Sequence, residues 1–324
     1  RGMRLGLLPR PGTDASAVTR AALDQNALTA ELSLAEAAAF GGGYKLDLRW
    51  DGARLIRTWR AFFAEHAGLF RDTDIWAPIG VIAFGEQFFC GLDKAHQEAV
   101  RDLSNALLER GVLFDLVHED NLSLAHLQKF RAIIVPRGVR SLSAAQLEIF
   151  RRCAAARRGS VLIIGDDFAS FDERCRPRPA ARRGVAAAQS LARDIGTDAL
   201  LEKITQASGL PTAGLLAAKG GRPPAVGINA FRASASGNGD ALMVHLVNYD
   251  VPLGADRNEP PRPVRDLVAT VPLPPGWHPA SAVAFSPCTA EDLRVEYDVH
   301  GDELRLRIPA LALYQVVRVS AQPH

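Results

Sequence analysis

Between residues 73 and 212, short apolar runs alternate with helical segments, and this alternation constrains the chain more than any other feature. Residues 76–84 (WAPIGVIAF), 112–117 (VLFDLV), 132–136 (AIIVP) and 160–165 (SVLIIG) are short and predominantly apolar. Runs of that length and composition are strands covered on both faces. Between them, residues 96–110 set Val100, Leu103, Leu107 and Leu108 on one stripe and stop at Gly111. Residues 122–130 form a short helix, and Ser143 caps a helix over 144–156 that Gly159 ends. Strands joined by helical crossovers imply βαβ units and a parallel sheet. The expectation is an α/β fold, a flavodoxin-like three-layer domain over residues 73–216.

The pattern changes after residues 217–224, a stretch without periodicity and rich in Gly and Pro that reads as a linker. Short strands are expected over 241–247, 267–273, 281–285, 293–299, 303–308 and 314–319. Leu267, Ala269, Val271 and Leu273 alternate onto one face, and His300-Gly301-Asp302 signals a hairpin. Residues 217–324 therefore read as an antiparallel β-sandwich. Residues 1–72 are helical instead. An Ala/Leu-rich helix runs over 15–40, starting near Asp14, broken near Asn26 and stopped at Gly41-Gly42-Gly43. A second covers 53–70, with Ile56, Trp59, Phe63, Ala67 and Phe70 at helical spacing. Trp50, Trp59, Phe62, Phe63 and Phe70 are more apolar surface than two helices can bury alone, so this region reads as the end of something larger.

The 324 residues exceed one ordinary core. Charge is balanced, 38 basic against 36 acidic side chains, which excludes the basic surface a nucleic-acid partner needs. The one basic run, residues 174–183, reads as a solvated loop. Nothing approaches the roughly 20 apolar residues of a membrane span, so no membrane partner is expected. The compartment is left open, with the cytoplasm favoured. Cys90, Cys153, Cys175 and Cys288 form no CxxC pair.

Four chemistries can be tested against the α/β pattern. A dinucleotide site needs GxGxxG after the first strand, but that turn reads Phe84-Gly85-Glu86-Gln87-Phe88. No GxxxxGK[ST] occurs, and no cofactor is expected. A nucleophile elbow needs flanking glycines. Cys90, in Phe88-Phe89-Cys90-Gly91, comes nearest and reads as a loop cysteine, while Cys153 lies inside a helix. Glycosidic cleavage needs two carboxylates roughly 5–9 Å apart. Glu31 and Glu36 lie about 140° apart around a helix and do not converge. Glu86, Asp166 and Asp167 follow strands, where open α/β sheets bind ligands, and form the candidate pocket. His96, His118, His126 and His245 are scattered, with no metal motif. Trp277, in a Pro-Gly loop, and Tyr297 are candidates for stacking on a sugar, with burial in the sandwich as the alternative.

Domain order now carries information. Residues 35–42, Ala-Glu-Ala-Ala-Ala-Phe-Gly-Gly, followed by the helix through Trp59, resemble the last strand-to-helix stretch of a (β/α)8 glycosidase barrel. The α/β region resembles the amidotransferase-like, trimerisation domain of family 42 β-galactosidases, which also lacks a nucleophile elbow. The end, with His245-Leu246-Val247-Asn248-Tyr249, Val271-Pro272-Leu273-Pro274, Ser286-Pro287 and a closing run from Ile308 to Val317, resembles their small C-terminal β-domain. The resemblance implies a β-galactosidase-like glycoside hydrolase acting on a carbohydrate substrate and assembling as a homo-trimer. It also implies catalytic glutamates upstream of residue 1, so no catalytic residue is assigned here. Two other functions fit the residues: a stand-alone assembly or carbohydrate-binding protein, and an amidotransferase-like enzyme using Cys90.

Overall fold

The computed structural model describes residues 27–40, 53–85, 94–210, 216–218, 225–233, 240–251, 261–289 and 291–322. The chain divides into two compact units, one of Arg1–Trp76 with Leu215–His324, the other of Ala77–Gly214. The helical region and the β-region expected as separate parts thus share a unit.

The first unit opens with α1 (Ala27–Ala39), α2 (Ala53–Glu65), a 3-10 turn at Ala67–Leu69 and strand β1 (Thr73–Ile75). On α2 the spacing of Trp59 and Phe62 buries one face, while Arg57, Thr58, Arg60 and Ala61 stay exposed. Small side chains on α1, Ala35 and Ala39, allow its backbone to approach the sheet closely.

The second unit is α/β. In chain order it holds β2 (Ile79–Ile82), α3 (Ala95–Glu109), β3 (Phe114–Val117), α4 (Leu124–Leu127), β4 (Ala132–Val135), α5 (Ala144–Ala156), β5 (Val161–Ile164), β6 (Gln189–Leu191) and α6 (Thr197–Ser208). The strands pair in parallel in the order β3-β2-β4-β5-β6. β2, β4 and β5 are buried at every position, as unbroken apolar runs require. A cluster around Phe84, Phe130, Phe150 and Phe168 forms the core. Gly80 is dictated by it, since a Cβ there would lie 2.8 Å from the Phe130 ring. Ser143 and Gln146 close a reciprocal capping box on α5, with bonds of 3.1 and 2.8 Å.

The chain then returns to the first unit with β7 (Leu216–Ala218), β8 (Val226–Ala233), β9 (Ala241–Asn248), β10 (Val264–Pro272), β11 (Pro279–Phe285), β12 (Leu293–Arg294), β13 (Glu296–His300), β14 (Glu303–Leu311) and β15 (Tyr314–Ala321). These make two antiparallel sheets, β1-β8-β9-β15-β11-β12 and β13-β14-β10-β7. β9 is buried along its whole length. Its Ala241, Met243 and Val247 face the helices with Trp59 and Phe62, and its other face is buried as well. The apolar surface of α2 is therefore covered by this chain's own sheet, with Trp59 and Tyr314 ring centroids 5.5 Å apart. Trp50 lies outside the described residues.

Three further details differ from expectation. Residues 217 and 218, read as linker, belong to β7, which pairs with Leu267–Ala269. The run 293–299 is two strands in two sheets, with Val295 at the corner donating its N–H to the Ala282 carbonyl. β8 was not visible in the pattern. The hairpin at Gly301-Asp302 is present, with His300 opposite Glu303 and Gly301 at φ +58.

The His245–Tyr249 motif holds the unit together. Asn248 is fully buried; its Nδ2 donates to the carbonyls of Arg262 at 2.8 Å and Ala312 at 2.7 Å, and its Oδ1 accepts from the Asp250 N–H. Gly227 leaves room for the Tyr249 ring, 2.8 Å from where a Cβ would stand. Asn229 donates to the Ala39 carbonyl at 2.9 Å, satisfying an end group of α1.

Candidate functional site

In an open α/β sheet the ligand crevice lies at the carboxyl ends of the strands, where the strand order reverses. Here that point falls between β2 and β4. His96, near the start of α3, fills it. The Phe84 N–H donates to its Nε2 at 3.0 Å, and Nδ1 lies 3.1 Å from the Arg137 carbonyl. A carbonyl only accepts, so Nδ1 carries the hydrogen and the ring is neutral. Burial holds its pKa below the usual histidine range, against smaller upward contributions from the Arg137 carbonyl and the charges of Glu119 and Asp167. With both nitrogens engaged, His96 fastens the ends of two strands and is neither a base nor a ligand. Gly138 (φ +87) permits the approach, since a Cβ there would meet the His96 backbone nitrogen at 2.9 Å.

The expected acidic pocket is only partly assembled. Asp166 is exposed, while Asp167 is half-buried with Oδ2 3.9 Å from Arg140 Nε. The adjacent aspartates diverge, and Asp167 is the one whose charge reaches His96. Glu86 and Cys90 lie outside the described residues. Glu119, which sequence reasoning missed, stands beside the same crevice, its Oε1 4.0 Å from where a Gly85 Cβ would be. The only sequence signal for it is its position just after β3. Among the described residues no group of three or more His, Cys, Asp or Glu side chains could hold a metal.

Glu31 and Glu36 also part company. Burial raises both carboxyl pKa values, and a hydrogen bond from Tyr249 draws that of Glu36 partly back. Tyr249 is pushed up in turn, by burial and then by the Glu36 charge. Glu31 instead acts on Cys288, whose thiol is raised by burial first and by that charge second. Cys153 is buried in α5, and burial raises its thiol pKa too.

The basic run is not merely a solvated loop. Arg178 donates to the carbonyls of Ala169 at 3.2 Å and Leu142 at 2.7 Å. Arg183 donates to the Arg178 carbonyl and the Ser170 hydroxyl, and Arg151 of α5 holds the carbonyls of Arg182 and Gly184. Guanidinium forks satisfy backbone carbonyls that a non-regular connection leaves unpaired. Trp277 needs a correction as a sugar platform. It is 5% exposed, so its ring faces are covered by the β-domain. Tyr297 is half-buried, with its hydroxyl 3.4 Å from the Pro279 carbonyl.

The most perturbed histidine is His245 on β9. It is 1% exposed, and its Nδ1 lies 2.8 Å from the Tyr314 hydroxyl. Burial drives its pKa down to about 3. The folded protein keeps the ring neutral while the unfolded chain takes up a proton below about pH 6.5. Stability is therefore complete above that pH and is lost as the pH falls toward 3. The loss expected by pH 5 is about 2 kcal/mol. Denaturant unfolding at pH 7.5 and pH 5 checks this. His245→Phe should lose less than the parent by that amount, and equal losses in both proteins contradict the assignment.

No protein-family model matches the sequence, and the comparison with curated proteins finds no match. Among solved structures, the chain is similar to the α-L-fucosidase isoenzyme 2 from Paenibacillus thiaminolyticus, with a TM-score of 0.59 at 14% identity. The alignment covers 93% of this chain and 57% of that one, so the chain spans little more than half the fucosidase's length. A rhamnosidase from Novosphingobium sp. PP1Y aligns with a TM-score of 0.47 at 16% identity, over 87% of this chain and 26% of that one. The apo exo-carrageenase GH42 from Bacteroides ovatus aligns at 0.36 and 14%, over 76% and 29%. These two scores are too low to add to the first. At such identities the likeness is one of fold, and the fold is one that a glycoside hydrolase also uses.

Proposed function

We propose that this chain is the accessory part of a glycoside hydrolase, supporting and assembling a catalytic barrel whose carboxylates lie outside it. The observation that carries the reading is the fold likeness to the fucosidase over 93% of the chain. In the finer form of the proposal, residues 1–72 are the end of a (β/α)8 barrel. Residues 73–216 are then a flavodoxin-like, amidotransferase-like trimerisation domain, and residues 217–324 a C-terminal β-domain, as in family 42 β-galactosidases. Two features support it. The parallel sheet runs second-first-third-fourth-fifth, the flavodoxin order. The His245–Tyr249 motif that carried the resemblance serves packing, through Asn248 and the Gly227–Tyr249 contact.

Two measurements test the reading. The 324-residue chain should not turn over aryl galactosides or aryl fucosides, whereas a protein that joins it to a catalytic barrel should. Turnover by the chain alone that disappears with Asp166→Asn or Asp167→Asn sinks the accessory role. Sedimentation of such a protein should give a trimer that is lost on removing residues 77–214, the α/β unit alone, and a monomer at micromolar concentration sinks the assembly role.

A further inference from the structure

The charges of this chain are segregated, which its formal net charge of +2 conceals. Residues 137–184 hold eleven arginines, five carboxylates and no lysine, a surplus of six, so the rest of the chain carries a net −4. The fold draws most of that surplus into one stripe. The connection from β5 to β6 runs alongside α5 and is fastened to it at successive levels. Arg178 donates to the Leu142 carbonyl just before the helix, Arg151 within it holds the carbonyls of Arg182 and Gly184, and the Gly159 N–H just after it donates to Ala187. The two segments therefore descend together over the length of a 13-residue helix, about 20 Å.

α5 and its end contribute Arg151, Arg152, Arg157 and Arg158, and the connection contributes Arg174, Arg176, Arg178, Arg182 and Arg183. The same two segments carry Glu148, Asp172 and Glu173, of which Glu148 pairs with Arg151 and Asp172 with Arg176. Asp166 and Asp167 precede the stripe at the end of β5, where Asp167 faces Arg140. Arg152, Arg158, Arg174 and Arg182 are exposed and make no ion pair among the described residues. The carbonyls and hydroxyl that bind Arg178 and Arg183 are neutral, so they fix those guanidinium groups without cancelling their charge. A basic surface held in place in this way loses little freedom when a ligand arrives.

The partner is narrowed by the side chains around the stripe. Single-stranded nucleic acids stack on exposed aromatic faces, but Phe150 and Phe168 are buried, and Phe171 is half-buried with the Arg140 guanidinium 5.2 Å from its ring centroid. Docking on an anionic membrane adds apolar side chains to basic ones, and among the described residues the large exposed apolar ones, Leu293 and Val299, belong to the first unit. Guanidinium forks pair with two oxygens of one oxyanion, which suits an extended polymer whose oxyanions recur along a line. We propose that this stripe binds an anionic polysaccharide bearing sulfate or carboxylate groups, laid along α5 and the β5–β6 connection. The site does not rest on the accessory role above, because a chain that supports no barrel carries the same stripe.

Dextran sulfate, polygalacturonate and uncharged dextran are the probes, immobilised and exposed to the full 324-residue chain at about 0.1 M salt, where charges act over about 10 Å. The chain should bind at least one of the two charged polymers saturably, with Kd on the order of 10 μM or below, the tighter of the two naming the group, and dextran not at all. Arg174→Glu with Arg182→Glu should weaken binding about ten-fold or more, and both side chains are exposed and outside any ion pair, so the fold should hold. Arg152→Glu with Arg158→Glu should do the same from the other segment. Arg265→Glu with Arg294→Glu, at exposed positions of the first unit, changes the net charge equally and should weaken binding by no more than about two-fold. The proposal is overturned if neither charged polymer binds, if either stripe pair leaves binding unchanged, or if the first-unit pair weakens it as much as the stripe pairs do. Tighter binding of single-stranded DNA or of phosphatidylserine vesicles than of both polysaccharides overturns it as well.

Discussion

Trp59→Ala is expected to cost the first unit about 3–5 kcal/mol, the range for truncating a large buried aromatic side chain. Trp59 is 2% exposed and sits in the middle of α2. Its ring meets Phe62, Phe63 and Tyr314 at centroid distances of 6.3, 5.5 and 5.5 Å, so it joins the helix to β15 near the other end of the chain. Helix propensity alone does not hold a segment of this length, so losing the anchor should free α2 from the sheet. Urea unfolding followed by circular dichroism and by fluorescence of the remaining tryptophans reads the effect. The transition of the first unit should move to lower urea while that of the second stays in place. A loss below about 1 kcal/mol would mean that the helices are peripheral to the β-domain.

Gly138→Ala should act on the other unit, with a cost of about 3 kcal/mol or more. Two penalties coincide at this position. The backbone has φ +87, and the added Cβ would stand 2.9 Å from His96 N and 3.0 Å from His96 Cα. Backbone atoms at that distance cannot rotate away, and the His96 ring is pinned by Phe84 and Arg137. Gly209→Ala separates the penalties. It has φ +68 at the end of α6, but nothing lies within 4 Å of its Cβ position. That variant should lose only about 1–2 kcal/mol. Equal losses in the two variants would remove the clash from the argument, and with it the view of His96 as a rigid fastening.

Much of the second unit is legible in the sequence because its local signals agree. AIIV and VLII can only be buried strands, and Ser143 with Gln146 marks a helix start whose capping box is present. β8 is hidden for the opposite reason. Seven of its eight residues are buried, so the polar–apolar alternation of a surface strand is absent, and Gly227 and Asn229 look like turn residues. β6 is three residues long and leaves almost no pattern. The pairing of the N-terminal helices with the C-terminal sheet rests on contacts such as Trp59 with Tyr314, which no local window contains. The candidate crevice was half legible. Asp167 was placed by its position after a strand, but Glu119 carries no motif. His96 and His245 are each defined by a distant partner, Arg137 and Tyr314, rather than by their neighbours.

The edge strand β1 has a consequence for how the chain is made. Thr73 pairs with Ala233 and Ile75 with Phe231, yet the whole second unit lies between them in sequence. During synthesis, α1, α2 and β1 emerge well before the strands of the sheet that they join. The parallel sheet of the second unit, whose strands follow one another closely, can close while those helices wait. Only after β8, β9 and finally β15 leave the ribosome does the surface that Trp59 and Phe62 cover exist. Long-range pairing of this kind slows folding and leaves apolar segments open to wrong partners in the interval. A chain released before Tyr314 should therefore carry a finished α/β unit and an unfinished partner, the form in which chaperone dependence and aggregation concentrate.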